Sequence, residues 1–374
     1  MIHWIKRIIE YAIRHLKLNR VFIKWIDKLV KDQINMNYSG AGDLLRAVCE
    51  PVSSTKKDTE KIINRQYNLQ IVIPMFNVKK YVKECIDSIL NQSTHYTYII
   101  YAVDDGSSDG TDHLIKTLYH NDERIHYIRK ENEGAAAARN AGLESLVADY
   151  VMFVDADDRL KEDAINNLLD VAYKESADVV EGGYELFRKK TVSKRVHTDA
   201  VISEACGKLW GFSWAKVFRS ELFTDIRFPD KYWYEDTYVS YLIYTRCQSA
   251  VTISQIVYCY RNNMKGMSHI RVNKKNMDAF WIIKYILDEM KRRNIQFTQN
   301  IYEQMIISIS TSTKRVLYMK KNLRRCLLAA YSEIMHDNFE ESRTENDSLK
   351  VFEKVIRNND FRKYRYLAIC LEDL

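Results

Sequence analysis

Asp155, Asp157 and Asp158 crowd three carboxylates into "DADD", directly behind the apolar run "DYVMFV". Like charges repel, so the cluster needs a reason. Asp155 and Asp157 flank one small residue, and in an extended chain positions i and i+2 face the same side. Two hard oxygen ligands beside a strand end suit Mg2+ or Mn2+, which fill the rest of the shell with water and phosphate. A cation there would neutralise the charge that develops on a departing diphosphate. The plain alternative is a cap for the helix after Lys161, because acids are favoured at a helix N-terminus. A second pair, Asp104-Asp105 in "VDDGSSDG", ends another apolar run. A fixed carboxylate there can accept the N3–H of uracil, a donor that cytosine lacks. The same residues are also good turn formers. A third pair, Glu235-Asp236, sits in the aromatic segment "DKYWYEDTYVSY". Asp236 suits a general base toward an acceptor hydroxyl, with a helix N-cap as its alternative.

Something must bring these acids together. "LQIVIP", "YTYIIYAV", "RIHYIRK", "DYVMFV" and "ADVVEGGYELF" read as strands. The helical patterns "KKYVKECIDSILNQS", "DHLIKTLYH", "GAAAARNAGLESLV" and "KEDAINNLLDVAYKE" alternate with them. That alternation predicts an α/β fold, a mostly parallel sheet with helices on both faces. Ligands of such sheets bind beyond the carboxyl ends of the strands. The ends "PMFN", "VDDGSSD" and "VDADD" would share that edge. From about Lys190 the rhythm breaks into an aromatic-rich stretch. A helix, "EDTYVSYLIYTRC", and a strand, "AVTISQIVYCYR", are expected next, and beyond Asn273 the pattern is helical.

The chain has 374 residues, too many for one ordinary domain. Its net charge of +7 favours an anionic partner: a nucleotide, an anionic lipid surface or nucleic acid. No aromatic-basic binding motif supports the last of these, so no nucleic-acid partner is expected. The seven cysteines are scattered without a CxxC pair, which argues against a disulfide framework and a zinc site and fits a reducing cytoplasm. No run of about 18 apolar residues predicts a membrane span, and the charged N-terminus does not read as a signal peptide. Residues 1–31 alternate apolar positions with many Lys and Arg, predicting basic amphipathic helices. They have two uses: packing on protein, a homodimer included, or lying on the inner face of the cell membrane as a peripheral anchor.

"IVIPMFNVKKYVKECIDSILNQS", "YAVDDGSSDGT", "NEGAAAARNAGL" and "YVMFVDADD" together resemble the inverting family 2 glycosyltransferases with a GT-A (Rossmann-like) fold, of the kind that builds bacterial glycans and cell-surface polysaccharides. The resemblance is strong from Leu69 to Phe187 and weaker to about His269. It implies a catalytic domain over residues 67–270, with 67–187 for the nucleotide-sugar and 188–270 for the acceptor. An N-terminal extension and linker (1–66) and a helical C-terminal region (271–374) would flank it. Pro74, Phe76 and Asn77 would border the base, and Phe76 would offer a stacking face. Asp105 would read uracil with Asp104 in support, and Arg139 would approach the ribose and diphosphate. Asp155 and Asp157 would form the Asp-x-Asp metal motif, Asp157 most directly. Asp236 would be the general base beside Glu235. Arg261 and His269 fall where a mobile segment closes on the diphosphate. The implied reaction is metal-dependent transfer from a UDP-sugar to a saccharide, lipid-linked or glycoprotein acceptor. The competing readings are a non-catalytic nucleotide-sugar-binding protein and a sugar nucleotidyltransferase. The latter needs an early Gly-rich loop that "PMFNVKK" lacks.

Overall fold

The computed structural model describes residues 60–188, 191–263 and 273–367, with isolated positions 41, 45 and 46. The expected amphipathic helices of residues 1–31 therefore lie outside the described residues. The chain forms two compact units, residues 52–269 and residues 270–374 with 1–51.

In the first unit, β1 (Ile63–Met75), β2 (Tyr98–Asp104), β3 (Ile125–Arg129) and β4 (Leu146–Phe153) are the apolar runs of the sequence. They lie side by side in the order β3-β2-β1-β4, all parallel. In register, Met75 stands beside Asp104, so "PMFN" and "VDDG" leave the sheet at one edge. Val72 pairs with Phe153, which brings the start of "VDADD" to the same edge.

The helices between them are α1 (Val82–Leu90), α2 (Thr111–Tyr119), α3 (Ala135–Gly142) and α4 (Ala164–Lys174). Helices α1, α2 and α4 bury Ile86, Ile115 and Leu168 against Ile71, Ile73, Ile100 and Met152, one alternate set of strand residues. Helix α3 covers the opposite face. It ends at Gly142, five residues short of the predicted Val147, and Leu146 already belongs to β4. Gln70 explains the early stop. Its side-chain amide donates to the Gly142 carbonyl (2.6 Å) and the Ser145 carbonyl (2.9 Å), and its oxygen accepts the Val147 N–H (3.0 Å).

The sheet continues less simply. β6 (Val179–Phe187) and β10 (Ala250–Arg261) are parallel to each other. β9 (Lys216–Arg219) runs antiparallel between β4 and β6. The short β5 (Arg159–Leu160), β7 (Thr191–Arg195) and β8 (Ala200–Ile202) add antiparallel edges. The predicted "EDTYVSYLIYTRC" helix is present over residues 237–246, but as a brief α turn, a π-helix, Val239–Ile243, and a 3₁₀ turn, Tyr244–Arg246. Residues 238–244 are all buried, so no polar face specifies an α-helical period.

The second unit is helical as expected: α5 (Asp278–Arg292), α6 (Gln299–Val316), α7 (Lys321–Phe339), α8 (Asp347–Arg357) and α9 (Phe361–Leu367). Thr298 and Asn346 cap α6 and α8 through their side-chain oxygens. No helix among the described residues is long and apolar enough to cross a membrane.

Gly142 has no room to spare. A Cβ there would stand 2.4 Å from Val72 Cγ1, with β1 beneath it. Gly142→Ala should cost about 1–3 kcal/mol through overpacking. The urea midpoint should drop at unchanged m-value, and Val72→Ala in the same chain should recover part of the loss.

Candidate active site

Three acidic segments and one arginine converge at the carboxyl edge of the sheet. Arg139, in the last turn of α3, is 3% exposed. The run Ala136, Ala137 and Ala138 lets α3 sit close to the sheet, and all three are buried. Arg139 Nη1 donates to Glu235 and lies 3.5 Å from Asp236 Oδ1, while Nη2 donates to Asp155 Oδ1 at 3.1 Å. Burial opposes the guanidinium's charge, but Asp236, Glu235 and Asp155 hold it firmly ionised. Its Nε proton is buried without a partner among the described residues.

The acids divide by environment. Asp155 keeps 28% of its side chain open, yet desolvation, only partly offset by Arg139 and reinforced by Asp236, Asp157 and Glu235, raises its pKa to about 7. Asp158 is 1% exposed, and burial with Asp155 and Asp157 nearby pushes its carboxyl well up. It accepts from the Tyr258 hydroxyl (2.9 Å) and the Arg261 backbone N–H (2.6 Å). Asp158 therefore clamps β10 onto the acidic turn, a contact made possible by the pairing of β10 with β5. Tyr258 also accepts the Asp155 N–H at 3.0 Å. Among the described residues, the Asp157 carboxylate meets only the Asn263 amide, at 3.1 Å. None of these acids caps α4: the residue before it is Asp163, with no side-chain cap bond.

Asp155 and Asp157 suit a hard divalent cation. Asp155 Oδ2 and Asp157 Oδ1 accept no hydrogen bond among the described residues, so each has an oxygen to give. Among the described residues no three metal-ligating side chains form a ready cage. Two open carboxylates are what a cation completed by phosphate and water requires.

Glu235 is 5% exposed; burial raises its pKa while Arg139 pulls it down. Asp236 is more open, at 33%, and accepts from Ser213 Oγ at 3.1 Å. The turn that delivers the pair places Tyr234 at φ 67°, a left-handed conformation that is costly for a bulky side chain. The aromatic segment behind Ser213 is tied down by Lys216. Its buried ammonium pairs with Glu181 and donates to the Trp210 carbonyl and the Tyr244 hydroxyl, both at 2.8 Å. Trp214 is buried in a stack with Phe212 (3.6 Å) and Tyr258 (4.7 Å).

At the second strand end, Asp104 makes the turn: its Oδ1 accepts the Ser107 N–H (2.8 Å) and its Oδ2 the Tyr127 hydroxyl (2.9 Å). Asp105 is 2% exposed. Its Oδ1 accepts from Lys130 (2.9 Å) and the Glu133 N–H (3.0 Å); its Oδ2 accepts only the Gly134 N–H (2.7 Å) and retains a lone pair. Pro74 is half-buried in β1, Phe76 is 49% exposed, and Asn77 accepts the Ser108 N–H (2.9 Å). Arg261 donates through Nε to the Asp157 carbonyl (2.6 Å) and through Nη2 to Glu84 (2.5 Å), and lies over Phe187. His269 lies outside the described residues. Sequence reasoning missed Ser213, Lys130 and Tyr258. Only Tyr258 left a signal, as an alternating tyrosine in "YCYR".

A family model described as glycosyl transferase family 2 matches residues 70–242. The matched stretch, residues 70–242, is a family 2 glycosyltransferase domain, and the fold is GT-A. Glycosyltransferase GlyA of Streptococcus pneumoniae is 29% identical over 224 residues, covering 55% of this chain and 32% of its own length. The chain thus spans about a third of that relative. S. aureus TarS 1–349, in complex with UDP-GlcNAc, shares the fold at TM-score 0.68 and 18% identity, over 80% of this chain and 90% of its own. The mannosyltransferase PcManGT from Pyrobaculum calidifontis, in complex with GDP-Man and Mn2+, aligns at TM-score 0.50 and 14% identity, over 97% and 96%. The family 2 domain thus contains every described site residue from Asp104 to Asp236, and Arg261 lies beyond the matched span.

The crowded acids make the domain's stability depend on pH. Unfolded carboxyls titrate near about 4. With Asp155, Asp158 and Glu235 raised in the fold, the folded state keeps protons that the unfolded chain has released. Their stabilisation is therefore full below about pH 4 and is lost as pH rises toward about 7, the value for Asp155. In chelator, the urea midpoint should fall across that window. Manganese should raise it, most at the upper end.

Proposed function

We propose that the protein is a metal-dependent inverting glycosyltransferase that moves a sugar from a UDP-sugar to an acceptor hydroxyl of a glycan, lipid-linked precursor or glycoprotein. One observation carries this reading: a single buried guanidinium, Arg139, holds a metal-type acid, Asp155, and a base-type acid, Asp236, at one strand edge. An in-line displacement needs those two functions on opposite sides of one anomeric carbon. Asp155 and Asp157 would hold Mg2+ or Mn2+, which when bound supplies charge stabilisation to the departing diphosphate. Asp236 would take the acceptor hydroxyl's proton. Its partial exposure and its Ser213 contact leave it accessible and oriented for that task. Glu235, spent on Arg139, would position rather than react.

Asp105 Oδ2, with a lone pair left, would accept the uracil N3–H beside the exposed ring of Phe76, with Pro74 and Asn77 bordering the base. Arg139 Nε is one donor available to the donor's anionic part. Arg261 would reach the diphosphate only by releasing Glu84, together with His269. Residues 1–31 would hold the enzyme at the cytoplasmic face of a membrane, or pair two copies. Trp210 and Phe212, half-buried near Ser213, offer ring faces to an acceptor sugar.

Calorimetry with UDP, GDP and CDP in manganese tests the donor. UDP should bind, GDP and CDP should not, and Asp105→Asn should weaken UDP binding by removing a charged acceptor. Equal affinities for the three nucleotides would reject the uracil reading.

Asp236→Asn separates the base from the donor site. UDP binding should survive. Transfer, or UDP-sugar hydrolysis by water, should fall by roughly 10²–10⁴-fold. Near-normal turnover would remove Asp236 as the base.

A further inference from the structure

The helical unit is electrically polarised along its length. From Gln304 to Ser332 there is no Asp or Glu, while Lys314, Arg315, Lys320, Lys321, Arg324 and Arg325 fall within that stretch. The fold gathers these bases at one end. Lys314 and Arg315 occupy the last turn of α6, and the others begin α7 after a short turn. The Asn276 side-chain amide donates to the Arg315 carbonyl (3.0 Å), which brings Lys274 and Lys275 to the same place. The guanidiniums of Arg324 and Arg325 lie over Phe361, 5.8 and 5.3 Å from its centroid, and the exposed Arg362 follows it.

The acids go to the opposite end. Glu303 accepts from Thr344 Oγ1 at 2.5 Å, and Gln299 donates to the Arg343 carbonyl at 3.0 Å. The N-terminus of α6 thus lies beside Glu340, Glu341, Glu345 and Asp347. At the basic end, the acids Asp278 and Asp360 are buried. Asp278 is bonded to Lys275, and Asp360 accepts the Arg362 and Lys363 backbone N–H groups.

This arrangement costs stability. Lys320, Lys321, Arg324 and Arg325 sit at the N-terminus of α7, where the helix dipole favours acids, and the first turn contains none. Arg324 and Arg325 gain the Phe361 ring, but the exposed Lys320 and Lys321 stand against the helix dipole. A dense anionic surface outside the chain would offset the repulsion. The turn between α6 and α7 indicates which kind. Tyr318 is 56% exposed, between the half-buried Leu317 and Met319, while Lys320 and Lys321 beside it are exposed. An aromatic and apolar tip ringed by cations fits a lipid headgroup boundary, where tyrosine rings settle and each nearby Lys or Arg adds attraction. A soluble polyanion gives no use to the apolar tip.

We propose that the basic end of this helical unit docks on an anionic lipid bilayer, with Tyr318 at the headgroup boundary. The proposal does not depend on the glycosyltransfer reading.

The test is co-sedimentation of the full chain with phosphatidylcholine vesicles, with and without about one third phosphatidylglycerol. Wild type should bind the anionic vesicles, lose them in high salt, and ignore the neutral ones. Lys320→Glu/Lys321→Glu places acids where the helix dipole favours them, so this variant should unfold in urea no earlier than wild type. Its vesicle partitioning should drop at least tenfold, and Tyr318→Ser should weaken binding at unchanged salt dependence. Equal binding by the double variant would overturn the proposal and assign the attachment elsewhere in the chain. No binding by wild type would overturn it too. Binding to soluble polyphosphate but not to vesicles would replace the bilayer with a soluble polyanion. UDP calorimetry on the same preparations reports separately on the donor site.

Discussion

One buried guanidinium holds the acidic edge of the sheet together. Arg139 faces Glu235, Asp155 and Asp236, and the side chain is 3% exposed. An arginine cannot shed its proton to escape burial, and its planar fork serves several carboxylates at once. Without it, Glu235 would be a buried acid facing two others, and the loop that carries it would have no reason to close on the strand ends. Much of the surrounding structure sets the position of this one group. The alanines of α3 bring the helix close, Gly142 lets it rest on Val72, and Gln70 turns the chain back into β4.

The same side-chain type does different work across this edge because its surroundings differ. Asp158 and Glu235 are sealed and spent on protein partners, while Asp157 and Asp236 keep open surface and weak local contacts. Environment, more than residue type, separates structural carboxyls from reactive ones. The second strand end repeats the pattern. Asp104 is consumed by its own turn and by Tyr127 of β3, whereas Asp105 keeps one lone pair.

The net charge of +7 averages two opposite regions. Acids concentrate at the sheet edge, where a cation and a diphosphate would balance each other. Bases concentrate at one end of the helical unit, from Lys314 to Arg325. A bulk charge therefore points to an anionic partner without saying which surface meets it.

The sequence by itself determined the parallel core. Long β-branched runs separated by amphipathic helices admit few other arrangements, and the acids that follow those runs must then share an edge. It determined the identity of the acids for the same reason, since position after a strand is a local property. Tertiary structure alone decided the rest. Arg139 and Glu235 are 96 residues apart, and no local pattern specifies that pair. The reversed strand β9 and the two-residue β5 are too short to carry a period, yet β5 brings Tyr258 against the acidic turn. Residues 238–244 are buried on every side, so the helix type there follows from what packs around it. Which of Asp155, Asp157 and Asp158 stays open to a ligand depends on burial, and burial is fixed only when distant strands close over the turn.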